Sequence, residues 1–121
     1  MSSGFAAATL VGLGGALGAL CRTAVGEYVA ADGVPASTLA VNVVGSFLLA
    51  LLTFAGVGSD AMLLLGTGAC GAFTTFSSFA VETVRLWETG ERVRAAITAV
   101  ANLLGAGAAI ALAWLLLALA G

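Results

Sequence analysis

The sequence carries very little charge for its length. Only 8% of its 121 residues are charged, four basic and six acidic, and histidine is absent. A soluble domain of this size needs a polar surface, and so few charged side chains cannot cover one. The residues also form no cluster typical of a metal enzyme and no nucleophile–base pair typical of hydrolysis. We therefore predict a membrane protein that is not an enzyme and has no nucleic-acid partner.

Hydrophobic residues dominate the composition. They make up 61% of the sequence, and the mean hydropathy is +1.15. A helix that crosses a bilayer needs about 20 apolar residues, and the chain has four such runs. The sequence therefore predicts an all-α membrane protein with a single four-helix domain over residues 1–121 and spans at about 4–29, 38–57, 61–88 and 94–120. Because a chain this small cannot enclose a wide aqueous cavity, we expect transport to require an oligomer.

The basic residues are confined to one side of the predicted membrane. With four spans, the first and third loops lie on one side, and both termini and the second loop lie on the other. All the basic residues lie at or near the first and third loops: Arg22, Arg85, Arg92 and Arg94. Because basic loops stay in the cytoplasm, we predict external termini in a multi-pass membrane protein.

The third apolar run contains a polar stretch that the other runs lack. Residues 71–79 read GAFTTFSSF, with hydroxyl groups at four positions: Thr74, Thr75, Ser77 and Ser78. Glycine and β-branched threonine at this depth favour a helix broken near residues 71–75. Membranes tolerate such a break only inside protein or beside water, and its freed carbonyls can hold a cation. A packing bend whose hydroxyls bond back to their own helix is the alternative, and the residues alone leave both open.

The phenylalanines of the same stretch also allow two interpretations. Phe73, Phe76 and Phe79 are spaced by three and fall near one helical face, which is typical of lipid or core packing. The positive edge of an aromatic ring can instead face an anion without holding it tightly, as fast permeation requires.

Two amides and one carboxylate complete the candidate polar groups. Asn42 could form an interhelical hydrogen bond or donate to a passing anion, and Thr38 precedes it on the same face. For Asn102 we favour the interhelical hydrogen bond. We interpret Glu82 and Arg85 as an interfacial pair, which leaves no carboxylate well inside an apolar run. A proton-coupled exporter would need such a carboxylate.

Four blocks of the sequence resemble the small bacterial fluoride channels, the CrcB/Fluc family. They follow one another over nearly the whole chain: GGALGALCR at 14–22, STLAVNVVGSF at 37–47, GACGAFTTFSSF at 68–79 and NLLG at 102–105. The third block is highly specific in a four-span chain of this length. The resemblance implies a passive, fluoride-selective channel of the bacterial inner (plasma) membrane that exports cytoplasmic fluoride and confers fluoride resistance. It also implies an antiparallel dimer with a broken third helix.

The resemblance also implies roles for individual residues. Six residues would line the fluoride pore: Asn42, Phe76, Phe79, Thr38, Thr75 and Ser77. Arg22 would lie in the vestibule of the pore. The backbone carbonyls of Gly71 and Thr74 would bind a structural sodium ion, Na+, at the dimer interface.

Two features depart from the family pattern. Ala80 follows the second pore phenylalanine, where relatives often carry a hydroxyl, and the fourth span lacks serines after Asn102. Together with the one-sided arginines, they suggest that the chain pairs with a homologous subunit of opposite topology rather than with itself. The chain would then be a non-conducting or pore-degenerate half of a heterodimer. A small four-helix exporter of organic cations is a further alternative.

Overall fold

The protein is an all-helical bundle. The structure, a computed structural model, describes residues 3–29 and 36–121. Helix α1 is Gly4–Tyr28, α2 is Ala36–Ala55 and α4 is Arg92–Ala120, and between α2 and α4 lies a third helical span, Ser59–Glu88. All four spans are long and apolar enough to cross a membrane. The predicted all-α fold with four membrane spans is confirmed.

The third span is not one continuous helix. Its first part, which we call α3a, joins Ser59–Ala61, a π-helical stretch Met62–Cys70 and Gly71–Phe73, and its second part, α3b, is Ser77–Glu88. Residues 74–76 between them are non-helical, and Thr74 has the extended backbone angles φ −81° and ψ 163°. The helix thus continues to Phe73, and the interruption at residues 74–76 overlaps the end of the break predicted near 71–75.

Glycines allow α1 and α3a to pack with their backbones in contact. A Cβ atom on Gly14 would overlap the carbonyl of Leu64, and one on Gly18 would overlap the carbonyl of Ala69. Because glycine has no side chain, two helices can approach closely at these positions, as they often do in membranes. This contact packs α3a against α1. The last turn of α3a, just before the interruption, also contacts α2.

Helices α2 and α4 run side by side, with α3b against α4. The buried residues of α4 recur along one face that includes Ala95, Thr98, Asn102 and Ala109. Gly105 belongs to the same contact, because a Cβ there would meet the side chain of Val43. Small residues therefore let α4 lie close to α2 along several turns.

Most large apolar side chains point away from this narrow core. Leu103 is 74% exposed and Trp114 is 59% exposed, and Val41 is one of the few fully buried large side chains. A soluble protein would hide such residues, whereas lipid covers them at no cost. The outward apolar surface therefore agrees with a membrane environment.

Candidate ion site at the interruption of the third helix

The backbone of the interruption is held by one side chain, Asn42 of α2. The Thr75 N–H donates to Asn42 Oδ1 at 2.8 Å, and Asn42 Nδ2 donates to the Thr75 carbonyl at 3.0 Å. In an unbroken helix the Thr75 N–H would donate to the carbonyl of Gly71, four residues earlier. The amide of Asn42 replaces that partner, which explains why the helix ends after Phe73 and not at Gly71.

A second amide completes the hydrogen bonds of Asn42. Asn42 Nδ2 also donates to Asn102 Oδ1 at 3.0 Å, and Asn102 Nδ2 donates to the Thr98 carbonyl at 2.9 Å, one turn earlier in α4. The interhelical hydrogen bond predicted for Asn102 is therefore confirmed. Since an amide nitrogen has two hydrogens, Asn42 has no free donor in this arrangement.

The interruption leaves a run of backbone carbonyls without partners. Thr74 N–H still donates to the Cys70 carbonyl at 3.1 Å, but within the described residues no hydrogen bond reaches the carbonyls of residues 71–74. In a continuous helix the Ser78 N–H would donate to the Thr74 carbonyl, but here it donates to Thr75 Oγ1 at 3.1 Å. Both predicted sodium-binding carbonyls are therefore available to a ligand.

Beside the interruption lies an open groove of about 560 Å³ between α2, α3b and α4. Its polar lining includes Asn42, Ser46, Thr75 and Asn102, and none of its lining residues is charged. The rings of Phe76 and Phe79 also line it, with centroids 5.9 Å apart and planes tilted by 55°. Apart from Asn102, α4 contributes only apolar residues to the groove: Ala99, Leu103 and Ala106.

Phe76 is unusually exposed for a ring in the middle of a span. Its exposed fraction is 78%, whereas Phe79 is half-buried. It directly follows the Asn42–Thr75 pair in the non-helical segment 74–76, where the backbone changes from extended at Thr74 to helical angles at Phe76. The edges of aromatic rings carry partial positive charge, so rings that line a groove are able to attract an anion there weakly.

A smaller polar cavity of about 210 Å³ lies on the other side of Thr75. Arg22 of α1, Thr38 of α2 and Glu82 of α3b line it, and Thr75 lines both this cavity and the groove. Thr38 Oγ1 donates to Glu82 Oε1 at 3.0 Å, and Glu82 Oε2 is buried with no partner within the described residues. Thr75 is therefore the side chain common to the two compartments.

The structure separates the six predicted pore residues into groups. Asn42, Thr75, Phe76 and Phe79 meet at the groove, whereas Thr38 lies in the smaller cavity with Arg22. Ser77 lines neither space but lies within 3.4 Å of Thr75 through their hydroxyl oxygens.

The partner of Glu82 differs from the one that the sequence predicts. The sequence favours Arg85, whereas in the structure Thr38 Oγ1 donates to Glu82 Oε1 at 3.0 Å. Its spacing of three from Phe79 is the signal that would have placed it near the site, because residues three apart share a helical face. The expectation that no carboxylate lies well inside an apolar run stays a prediction, because Glu82 belongs to α3b at the end of the third span.

These features define a small multi-pass membrane protein with a broken third helix and a polar site at the break. Residues 9–114 match the family described as CrcB-like protein, Camphor Resistance (CrcB). The chain belongs to the CrcB family.

Named relatives cover most of the chain. A protein of Haloarcula marismortui named fluoride-specific ion channel FluC 2 is 61% identical over 107 residues, which are 88% of this chain and 90% of that protein. The fluoride-specific ion channel FluC 1 of Halobacterium salinarum is 60% identical over 111 residues, 92% of this chain and 93% of that protein. A FluC of Methanocaldococcus jannaschii is 41% identical over 101 residues, 79% of this chain and 82% of that protein.

Proposed function

We propose that this chain is a passive, fluoride-selective ion channel that lets fluoride leave the cytoplasm across the plasma membrane. The observation that carries the proposal is the uncharged groove in which the Asn42–Thr75 pair lies beside the rings of Phe76 and Phe79, in a chain whose relatives are named fluoride-specific ion channels. Amide and hydroxyl donors can replace part of the water around a small anion, and ring edges attract it only weakly. Weak contacts allow the ion to leave again, which conduction requires.

The working unit that we propose is an antiparallel dimer. In a single chain the groove is open and Phe76 is largely exposed, so one copy provides only one wall of a pore. Non-helical backbone at membrane depth is tolerated only where protein covers it or where it lines water. A second copy on this face would cover residues 74–76 and close the groove.

A structural sodium ion at the dimer interface fits the partnerless carbonyls at the interruption. Sodium is a hard cation that prefers oxygen ligands, and the carbonyls of Gly71 and Thr74 have no other partner within the described residues. Gly71 is exposed on the surface of a single chain, where a second copy could add further oxygens. The described residues offer no group of histidine, cysteine and carboxylate ligands that would favour a transition metal.

The cavity with Arg22 would form the vestibule of the pore. Its guanidinium would raise the local concentration of anions, and Thr38 and Thr75 supply hydroxyls between vestibule and groove. In the copy whose arginines face the cytoplasm, this vestibule would be the side from which fluoride enters, and in an antiparallel second copy it would face the outside.

A pore-degenerate subunit of a heterodimer is a second candidate. The observation that favours it is the apolar α4 wall of the groove, where Ala99, Leu103 and Ala106 offer no hydroxyl. A homologous partner of opposite topology could supply such groups. One-sided arginines would then hold this chain in one orientation, and reporters fused to its C-terminus would give a signal from one side of the membrane only.

Fluoride efflux from liposomes tests the proposal. Liposomes loaded with potassium fluoride and containing the purified chain should release fluoride rapidly once valinomycin lets potassium balance the charge, and they should retain chloride. Release without valinomycin, or equal release of chloride, would contradict a selective passive channel. Release only after co-reconstitution with a homologous subunit would favour the heterodimer. Transport of an organic cation driven by a proton gradient, without fluoride efflux, would favour the exporter.

A further inference from the structure

Both Nδ2 hydrogens of Asn42 are already used in hydrogen bonds, so neither is free to bind fluoride. Its Oδ1 accepts from Thr75 N–H, and its two Nδ2 hydrogens go to the Thr75 carbonyl and to Asn102 Oδ1. If fluoride takes a hydrogen from Asn42, one of the two acceptors must give it up. The Thr75 carbonyl and Asn102 Oδ1 are not equivalent, and their other hydrogen bonds indicate which of them fluoride displaces.

The contact with Thr75 is the one that must persist. Two hydrogen bonds of 2.8 and 3.0 Å join Asn42 to both backbone groups of Thr75, and they replace helical bonds that the interruption has removed. Breaking this contact would orphan a buried N–H as well as a carbonyl. The bond to Asn102 is single, and Asn102 Nδ2 keeps its own partner, the Thr98 carbonyl, whether or not Asn42 remains bound.

Asn102 is also not needed to orient Asn42. The paired bonds with Thr75 already distinguish the oxygen of the Asn42 amide from its nitrogen, because Thr75 presents one donor and one acceptor. What Asn102 adds is an oxygen at 3.0 Å from Nδ2, and both amides line the groove. That oxygen lies where an anion bound to the same hydrogen would lie.

We infer that Asn102 Oδ1 is an internal acceptor that competes with fluoride for the second Nδ2 hydrogen of Asn42 and thereby sets how weakly the ion is held. This inference rests on the proposed function. Fluoride arriving from the groove exchanges with the amide oxygen, and the oxygen returns when the ion moves on. Because a hydrogen bond is replaced at each step, neither state leaves the donor unpaired. Asn102 is thus a residue that determines affinity and release.

Two substitutions of similar size separate this role from packing. Asn102→Leu and Asn102→Asp both lose the donor to the Thr98 carbonyl, but only Asn102→Asp keeps an acceptor for Asn42. In the efflux assay, Asn102→Leu should lower the half-saturating fluoride concentration about tenfold, because one charge-assisted hydrogen bond no longer has a competitor. Asn102→Asp should raise it about tenfold, because a charged acceptor holds the hydrogen and repels the anion. Equal values, or shifts in the same direction, would overturn the inference.

Nuclear magnetic resonance of the wild-type protein gives a second measurement that does not depend on variants that fold. Fluoride titration should shift one of the two Nδ2 proton resonances of Asn42, the one bonded to Asn102, and leave the other nearly unchanged. An unmoved pair would overturn the inference even if flux is normal. If wild-type liposomes release no fluoride, the channel proposal fails, while this titration still decides whether the anion displaces Asn102.

Discussion

Asn42 and Thr75, 33 residues apart in sequence, are joined by two hydrogen bonds that run in opposite directions between a side-chain amide and a backbone unit. The amide of Asn42 supplies the donor and the acceptor that neighbouring turns of a helix would supply. An extended backbone can therefore persist in the middle of a membrane span. The partnerless carbonyl of Gly71 follows from this contact, whereas that of Thr74 is free because the Ser78 N–H donates to Thr75 Oγ1.

Replacing Asn42 with leucine should destabilise the protein and abolish fluoride efflux. Asn42→Leu leaves the Thr75 N–H and carbonyl without partners, at about 1–3 kcal/mol for each buried group. We expect a lower unfolding temperature in detergent and no fluoride efflux. Thr53→Val is the matched control, because Thr53 is exposed and its hydroxyl bonds only to the Leu49 carbonyl of its own helix. Normal efflux from Asn42→Leu would contradict a role of Asn42 at the site.

The ring edges of Phe79 should matter for conduction and not for folding. Phe79→Leu keeps an apolar side chain but removes the aromatic ring that lines the groove, so efflux should fall by about tenfold or more, an effect of about 1.4 kcal/mol on ion passage. Phe54→Leu is the control, since Phe54 is 46% exposed and lines neither the groove nor the smaller cavity. If both variants reduce efflux equally, the rings act only through packing.

Thr38 and Glu82 should be energetically coupled. Thr38→Val removes the hydroxyl that donates to Glu82 Oε1 and leaves a half-buried carboxylate with one hydrogen bond fewer. The expected loss is about 1–3 kcal/mol of unfolding free energy. In a Glu82→Gln background the same substitution should cost less, because no charge is left unpaired. A double-mutant cycle on thermal unfolding measures the coupling, and additive effects would rule it out.

Sodium should stabilise the assembled dimer. Replacing sodium with N-methylglucamine should lower the unfolding temperature of the dimer and its fluoride flux, and restoring sodium should reverse both. Thr74→Val keeps the backbone carbonyl and should keep this dependence, although it loses the hydroxyl bond to the Cys70 carbonyl. A dimer that is equally stable in both cations would contradict a bound sodium ion.

The contact of α1 with α3a should tolerate no side chain at Gly14. A Cβ atom there would overlap the backbone of Leu64, whereas a Cβ atom on Gly12 would meet nothing within 4 Å. Gly14→Ala should therefore shift helices or prevent folding, with a loss of about 1–3 kcal/mol or more. Gly12→Ala should be neutral or slightly stabilising, because alanine favours the helix. Similar unfolding temperatures for the two variants would show that the helices can separate without cost.

The membrane class, the four spans and the family could be read from the sequence. Hydropathy summed over about 20 residues is a local property and needs no knowledge of neighbours. The GACGAFTTFSSF block at 68–79 also marked the third span as unusual. On residues alone, however, this block allowed a bend as well as an ion site, and Phe76 and Phe79 allowed packing as well as anion contact.

The partners of the polar groups were decided only by the tertiary structure. Asn42 reaches Thr75 and Asn102, and Thr38 reaches Glu82, over separations of 33 to 60 residues for which the local sequence has no signal. The Thr75 N–H donates to Asn42 of α2 and not to the Gly71 carbonyl. The helix therefore ends after Phe73, within reach of Asn42, and not at Gly71. Likewise, only the packing of α2 near α3b brings Thr38 within hydrogen-bond distance of Glu82. Composition determined that the chain enters a membrane, and hydrogen bonds between helices determined where its polar site lies.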